Sequence, residues 1–343
     1  MARKYHFSFG PWNISTGADP FGPPVRPDVA LMKKFKMYRG LGFDHVQFHD
    51  DDTVPADTDW QATQRGVKRI KKLLDGEGLK AEFVAPRLWE HPKTIDGAYT
   101  SNSASERKYA LERSKRAIDI ANLLGTKNIV LWLAREGTYI REAKDPVTGI
   151  GRIVDAINVM LEHDSGIKIL GEMKPNEPMD QAYLPTPGHF TGLVYKTADP
   201  DRVGVLIESA HSILAGLAPS DDMAYVLWHK KLWGVHLNDQ NGLKYDQDKA
   251  FGSVNLRRAF NQVYVLDKCG YLDQSDGVVG LDVKAMRTTR QKDQTAHLTN
   301  SLKMFKGLLK VVQSVDEKKV DAFRKTRDYE GLDLYIMQHL LGK

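Results

Sequence analysis

The segment GEMKPNEP, residues 171–178, sets Glu172 and Lys174 side by side directly after the apolar residues Ile167, Ile169 and Leu170. Three further segments put acids, histidine or both just past a β-like run: QFHDDD at 47–52, VLIESAH at 205–211 and VHLNDQNGLKYDQD at 235–248. They contribute Glu172, Glu208, His211, His236, Asp246 and Asp248, and Asp282 follows the last apolar run. Five carboxylates in one pocket repel one another unless protons or cations neutralise them. At neutral pH, oxygen and imidazole together suit a divalent metal. Glu208 and His211, three apart, can approach one ion around a turn, while Asp246 and Asp248 sit two apart on a loop. Either pair alone is ordinary, since acidic loops are common and an isolated histidine is more often structural. Their coincidence on successive strand ends is what points to metal.

His49 and Asp52 lie three residues apart at the end of the second run, close enough for the carboxylate to orient the imidazole and raise its basicity, an acid/base dyad. Turn-forming aspartates explain Asp50 and Asp51 as well, but not His49. Lys174 can donate to a substrate oxygen or offset the acids. Trp12, Trp89 and Trp132 follow runs one, three and four, where aromatic walls exclude water and stack on the apolar faces of a sugar; singly, each also reads as core packing.

The elements that must position these groups alternate. β-rich runs at 5–10, 44–49, 80–85, 127–133, 167–173, 203–208, 232–238 and 279–283 are separated by segments of helical spacing at 28–41, 60–77, 104–124, 150–165, 188–197, 221–230, 255–269 and 295–314. Strand–helix alternation argues for parallel strands joined by right-handed crossovers, and eight runs make an α/β TIM (β/α)8 barrel, with its site at the carboxyl ends of the strands. The expected division is a barrel over 1–315 and a helical, subunit-contacting tail over 316–343. Residues 11–27 read as a long first βα loop. No GxGxxG follows the first run and no GxxxxGK[ST] occurs, so the dinucleotide and P-loop readings lose their main support.

A chain of 343 residues with 41% hydrophobic content can bury the core such a barrel needs. The lack of an 18-residue apolar run or a secretory leader pattern gives the expectation of a cytoplasmic protein without membrane association. The formal charge of +5 is spread along the chain rather than gathered with aromatics, and the densest run, KRIKK at 68–72, reads as a solvated helix face, which argues against nucleic acid. The single cysteine, Cys269, reads as filler rather than nucleophile.

Through FGPW, DPFG, FHDDD, the HP after Trp89, RKYAL, REG at 135–137, KPNEP, LPTPGH, NxQNGLKYDQD from Asn238 to Asp248 and the closing MQHLLG, the sequence resembles the D-xylose isomerase family, the class with the shorter amino terminus. The resemblance implies a tetrameric TIM barrel with two divalent cations that interconverts an aldose and a ketose by a metal-assisted hydride shift. It places Glu172, Glu208, His236 and Asp282 around one cation, with Glu208 bridging to a second held by His211, Asp246 and Asp248. It implies that His49, oriented by Asp52, assists ring opening, that Lys174 binds the oxygen on the first sugar carbon, and that Trp12, Trp89 and Trp132 line the sugar. Phe21 would enter from a neighbouring subunit. The sequence departs from the family pattern at His236, where aspartate is usual, which shifts the expected preference from Mg²⁺ toward Mn²⁺ or Co²⁺. Ala85, Arg87, Trp89 and Asp239 replace other residues around the sugar, so Arg87 joins the expected substrate contacts. The tail is also shorter, which leaves a dimer as an alternative to the tetramer.

The leading expectation is therefore a two-metal aldose–ketose isomerase of a free monosaccharide, D-xylose, D-glucose or another sugar. A ketose epimerase, or a lyase on an oxidised sugar, working through an enediolate is the alternative. A catalytically silent sugar-binding protein on the same fold is a third reading, supported only by the altered ligand at His236.

Overall fold

In the computed structural model of this protein, which describes residues 4–342, eight parallel strands close into a barrel. They are β1 (His6–Phe9), β2 (His45–His49), β3 (Lys80–Ala85), β4 (Asn128–Trp132), β5 (Lys168–Glu172), β6 (Val203–Glu208), β7 (Leu232–Leu237) and β8 (Val278–Leu281). Each pairs with its neighbours in sequence, and β1 pairs with both β2 and β8 to complete the cylinder. All eight coincide with the apolar runs read from the sequence. The strands are Val-, Ile- and Leu-rich and largely buried, as parallel strands covered on both faces must be. Inside, Phe83, Ala85, Val130, Leu170 and Leu206 form a small cluster of their own, with Trp12 and Trp233 packed against it.

The crossover helices follow the expected spacing, and their boundaries are set by local chemistry. Asp59 accepts a hydrogen bond from the Ala62 N–H to start the helix Trp60–Gly76, and Ser103 does the same for Ala104–Leu124 through Glu106. The helix expected from residue 150 begins at Pro146, because Asp145 caps it and proline takes the first position, where its missing N–H costs nothing. Helix Tyr329–Leu340 packs against both Ala296–Ser314 and Glu317–Thr326, and the two tail helices bury Val320, Tyr335 and Ile336. No helix among the described residues is long and apolar enough to cross a membrane.

Candidate active site

The parallel register puts the chemistry at one level. Glu172 ends β5, Glu208 ends β6, His236 is the last but one residue of β7, and Asp282 follows β8. Glu208 pairs with His236 across the sheet, and His236 with Gly280. A Cβ on Gly280 would fall 2.6 Å from His236 Cδ2 and 2.4 Å from Gln47 Nε2, so glycine there leaves the imidazole its place inside the barrel. One ligand atom from each of Glu172, Glu208, His236 and Asp282 lies within 4.8 Å of all the others.

Glu208, His211 and Asp246 form a second such group. His211 sits one turn into the short helix Ser209–Leu214, and its Nε2 lies 3.1 Å from Glu208 and 3.2 Å from Asp246. Ligands about 2.1 Å from one ion stand roughly 3–3.4 Å apart in tetrahedral or octahedral arrangements, the spacing seen here. Glu208 belongs to both groups, the place that the family resemblance implies for it. Asp248 is buried beside them but bonds Lys284 and Asn238 instead.

The charge balance shows what this pocket demands. Burial pushes Glu208 well above the usual carboxylate range, and Asp246, Asp282 and Asp248 push it further. Asp248 rises for the same reasons, burial first and then Asp246. Burial also acts to raise Glu172, but His236 prevails and holds it at about 2. The reverse holds for His236, where burial is overcome by Glu172 and the imidazole rises to about 9. Both ring nitrogens of His236, Nδ1 of His211 and Oδ1 of Asp246 are buried without a hydrogen-bond partner. Buried polar atoms left without partners in an anionic pocket are what a divalent cation would satisfy, once it displaces the protons it competes with, so the residues fit such an ion. A third cluster, His6, Asp44 and His45, lies at the opposite end of the barrel. It needs no ion, since each imidazole Nδ1 bonds one oxygen of the Asp44 carboxylate, at 2.7 and 2.9 Å.

The three tryptophans line the approach to the acids. Trp12 donates its indole N–H to Asp282 at 2.8 Å and stacks on His49 at 4.5 Å between centroids. Trp89 meets His49 at 5.1 Å and Trp132 edge-on at 4.6 Å. Lys174 lies over Trp132 and bonds Asp246 at 3.0 Å and Glu177 at 2.8 Å. Burial opposes its charge, but Asp246 and Glu177 keep it protonated. Asp52 approaches His49 Nδ1 at 3.2 Å, as expected of the dyad, yet Arg87 Nη2 lies closer, at 2.7 Å. Phe21 is 69% exposed and packs against Tyr245 of its own chain.

Residues 35–303 match the family described as "Xylose isomerase-like TIM barrel". The chain belongs to that family. Several solved structures share the fold of this family member. A D-tagatose 3-epimerase-like protein superposes with a TM-score of 0.65 at 19% identity, covering 90% of this chain and 98% of its own. A D-psicose 3-epimerase from Clostridium cellulolyticum H10, solved with D-tagatose, gives 0.63 at 14% identity over 89% and 99%. A 3-keto-D-glucoside 4-epimerase from E. coli gives 0.62 at 15% identity over 88% and 99%. The family shown is the broad xylose isomerase-like one, and of these neighbours two are named as epimerases and one as epimerase-like.

Other residues of this xylose isomerase-like site gave no signal in the sequence. Asn238 donates to Glu208 at 2.7 Å, to Asp248 at 3.3 Å and to the Asp282 carbonyl at 3.0 Å, and so ties three strand ends together. Arg113 grips Asp50 through two nitrogens and Asp51 through one, so those aspartates do more than form a turn. Asp239, expected to alter sugar contacts, instead accepts from the Val254 and Asn255 N–H groups and from Arg258, and thereby fixes the start of the helix Leu256–Lys268.

Proposed function

We propose that this protein is a divalent-metal-dependent enzyme that rearranges a free monosaccharide, acting as a ketose epimerase through an enediolate. The observation that carries this reading is the group of Glu172, Glu208, His236 and Asp282: three carboxylates and an imidazole with two unpaired nitrogens, one residue from each of four consecutive strand ends. The fold likeness to a D-tagatose 3-epimerase-like protein and to a D-psicose 3-epimerase solved with D-tagatose supports it. Mn²⁺, Co²⁺ or Mg²⁺ held by these four side chains would polarise a ketone and its neighbouring hydroxyl, and so acidify the intervening C–H. Glu172 and Asp282 come from the outer strands of the four, with β6 and β7 between them. One of the two, ionised, takes the C–H proton from one face as the electron pair moves into the enediolate; the other, entering the step as the carboxylic acid, gives its proton to the opposite face, so the pair ends with the proton exchanged between them and is reset through solvent. Trp12, Trp89 and Trp132 hold the apolar side of the sugar and exclude water, while Lys174 and Arg87 supply positive charge at the rim.

Aldose–ketose isomerisation by hydride shift is the second reading. It is favoured by the second ligand group, Glu208, His211 and Asp246, with Lys174 against it, since two cations sharing Glu208 can bracket two substrate oxygens. Turnover of ketoses and aldoses with each metal in D₂O separates the two. The expected result is an epimeric ketose carrying solvent deuterium at the inverted carbon. An aldose without solvent label would establish the hydride shift in its place, and no turnover with any of the three metals would refute both.

A further inference from the structure

We propose that Arg87 is a positioning residue that fixes the tautomer of His49: it holds Nδ1 as a hydrogen-bond acceptor, so that Nε2 carries the proton and faces the pocket as a donor. Arg87 Nη2 lies 2.7 Å from His49 Nδ1. A guanidinium has only donors and keeps its charge, so a nitrogen it bonds must offer a lone pair. Nη2 has two hydrogens and two acceptors here, Nδ1 and Asp52 Oδ1 at 3.2 Å. The rest of the arginine is pinned, with Nε on Asp51 at 2.8 Å and its backbone N–H on Asp50 at 2.8 Å. The competing partner of Nδ1, Asp52 Oδ2, stands farther away at 3.2 Å and already accepts from the His49 backbone N–H at 2.7 Å. Trp12 and Trp89 clamp the ring from two sides, which keeps the same nitrogen toward Arg87.

The consequence is chemical. With Asp52 as the orienting partner, Nδ1 would be protonated and Nε2 would be a base able to take a proton from an anomeric hydroxyl. With Arg87 in that place, Nε2–H donates, and it recognises an acceptor: a carbonyl, ring or carboxylate oxygen. On the reading that the pocket binds a sugar, His49 grips the carbonyl end of an open ketose or keto sugar and does not serve as a ring-opening base.

The test is ¹⁵N NMR of histidine-labelled protein loaded with Mg²⁺ and free of sugar, with the His49 signals assigned by their loss in His49→Gln. The wild type is expected to show a lone-pair nitrogen at Nδ1 and a protonated Nε2. Asp52→Asn should leave that pattern unchanged, and Arg87→Met should move the proton to Nδ1. A wild-type spectrum with Nδ1 protonated, alone or together with Nε2, overturns the proposal. So does an Arg87→Met spectrum that keeps the proton on Nε2. Because no substrate is present, the outcome is independent of whether the enzyme proves to be an epimerase.

Discussion

Glu208 is the residue on which both halves of the site turn. Its Oε1 accepts from Asn238, its Oε2 lies 3.1 Å from His211, and it is fully enclosed. Without a cation, burial and three neighbouring aspartates favour the protonated form of Glu208, and Glu172 favours the imidazolium of His236. Metal binding competes with both protons. Affinity should therefore rise with pH, by about tenfold per pH unit for each proton released, and the release can be measured by calorimetry in buffers of different ionisation enthalpy. Glu208→Gln keeps the shape and the Asn238 contact but removes the charge that both groups share. Metal content by mass spectrometry should fall at both positions, whereas Glu172→Gln should empty only the first. Full metal loading of Glu208→Gln would show that the two groups are not bridged. The clustered acids and histidines could be read from the sequence because most of them end, or directly follow, apolar runs that stop at one level of the barrel. Asn238, Arg113 and the Trp12–Asp282 bond could not, since their partners lie up to 270 residues away and no periodicity reports them.

At the scale of the element, the eight strands and their helices were visible because alternation of short apolar runs with 3.6-residue spacing survives in the sequence whatever the loops do. What was not visible is how the long first βα loop is held. The helix Ala296–Ser314 does this through His297, which donates from Nε2 to the Asn13 carbonyl at 2.9 Å and so joins the first loop to the last helix of the barrel. Burial depresses His297 from its ordinary 6.5 to about 4. The unfolded chain therefore binds a proton at higher pH than the folded one. The contribution to stability is complete above the unfolded value and is lost as pH falls through 6.5 toward 4. On the order of 3 kcal/mol is at stake across that window. Urea unfolding at pH 7 and pH 5 should show the wild type losing stability on acidification. In His297→Gln, which can still donate to Asn13 but does not titrate, that part of the loss should vanish. Equal losses in the two proteins would remove His297 as the cause.

At the scale of the whole molecule, the strand order and the closed barrel account for where the site is, but the surface carries apolar area that the single chain leaves uncovered. The helix Tyr329–Leu340 turns Tyr335 and Ile336 into the core while Leu334 and Leu341, beside the last turn, stand 60% and 67% exposed. Leu334, Met337 and Leu341 are spaced three and four apart, so they fall on one face of the helix, opposite its packed side. A contiguous apolar stripe on a chain otherwise rich in charge is the kind of surface that a second copy covers, and closed symmetric assembly is the usual way. This tail is the segment expected from the sequence to contact another subunit. We therefore expect analytical ultracentrifugation to give a dimer or tetramer for the wild type. Leu334→Glu combined with Leu341→Glu should shift the mass to the monomer while the circular dichroism stays native, because neither side chain supports the core. An unchanged mass in the double variant, or a wild type that is already monomeric, would mean that the stripe serves no assembly. The tail would then matter only for the Tyr335 and Ile336 it buries.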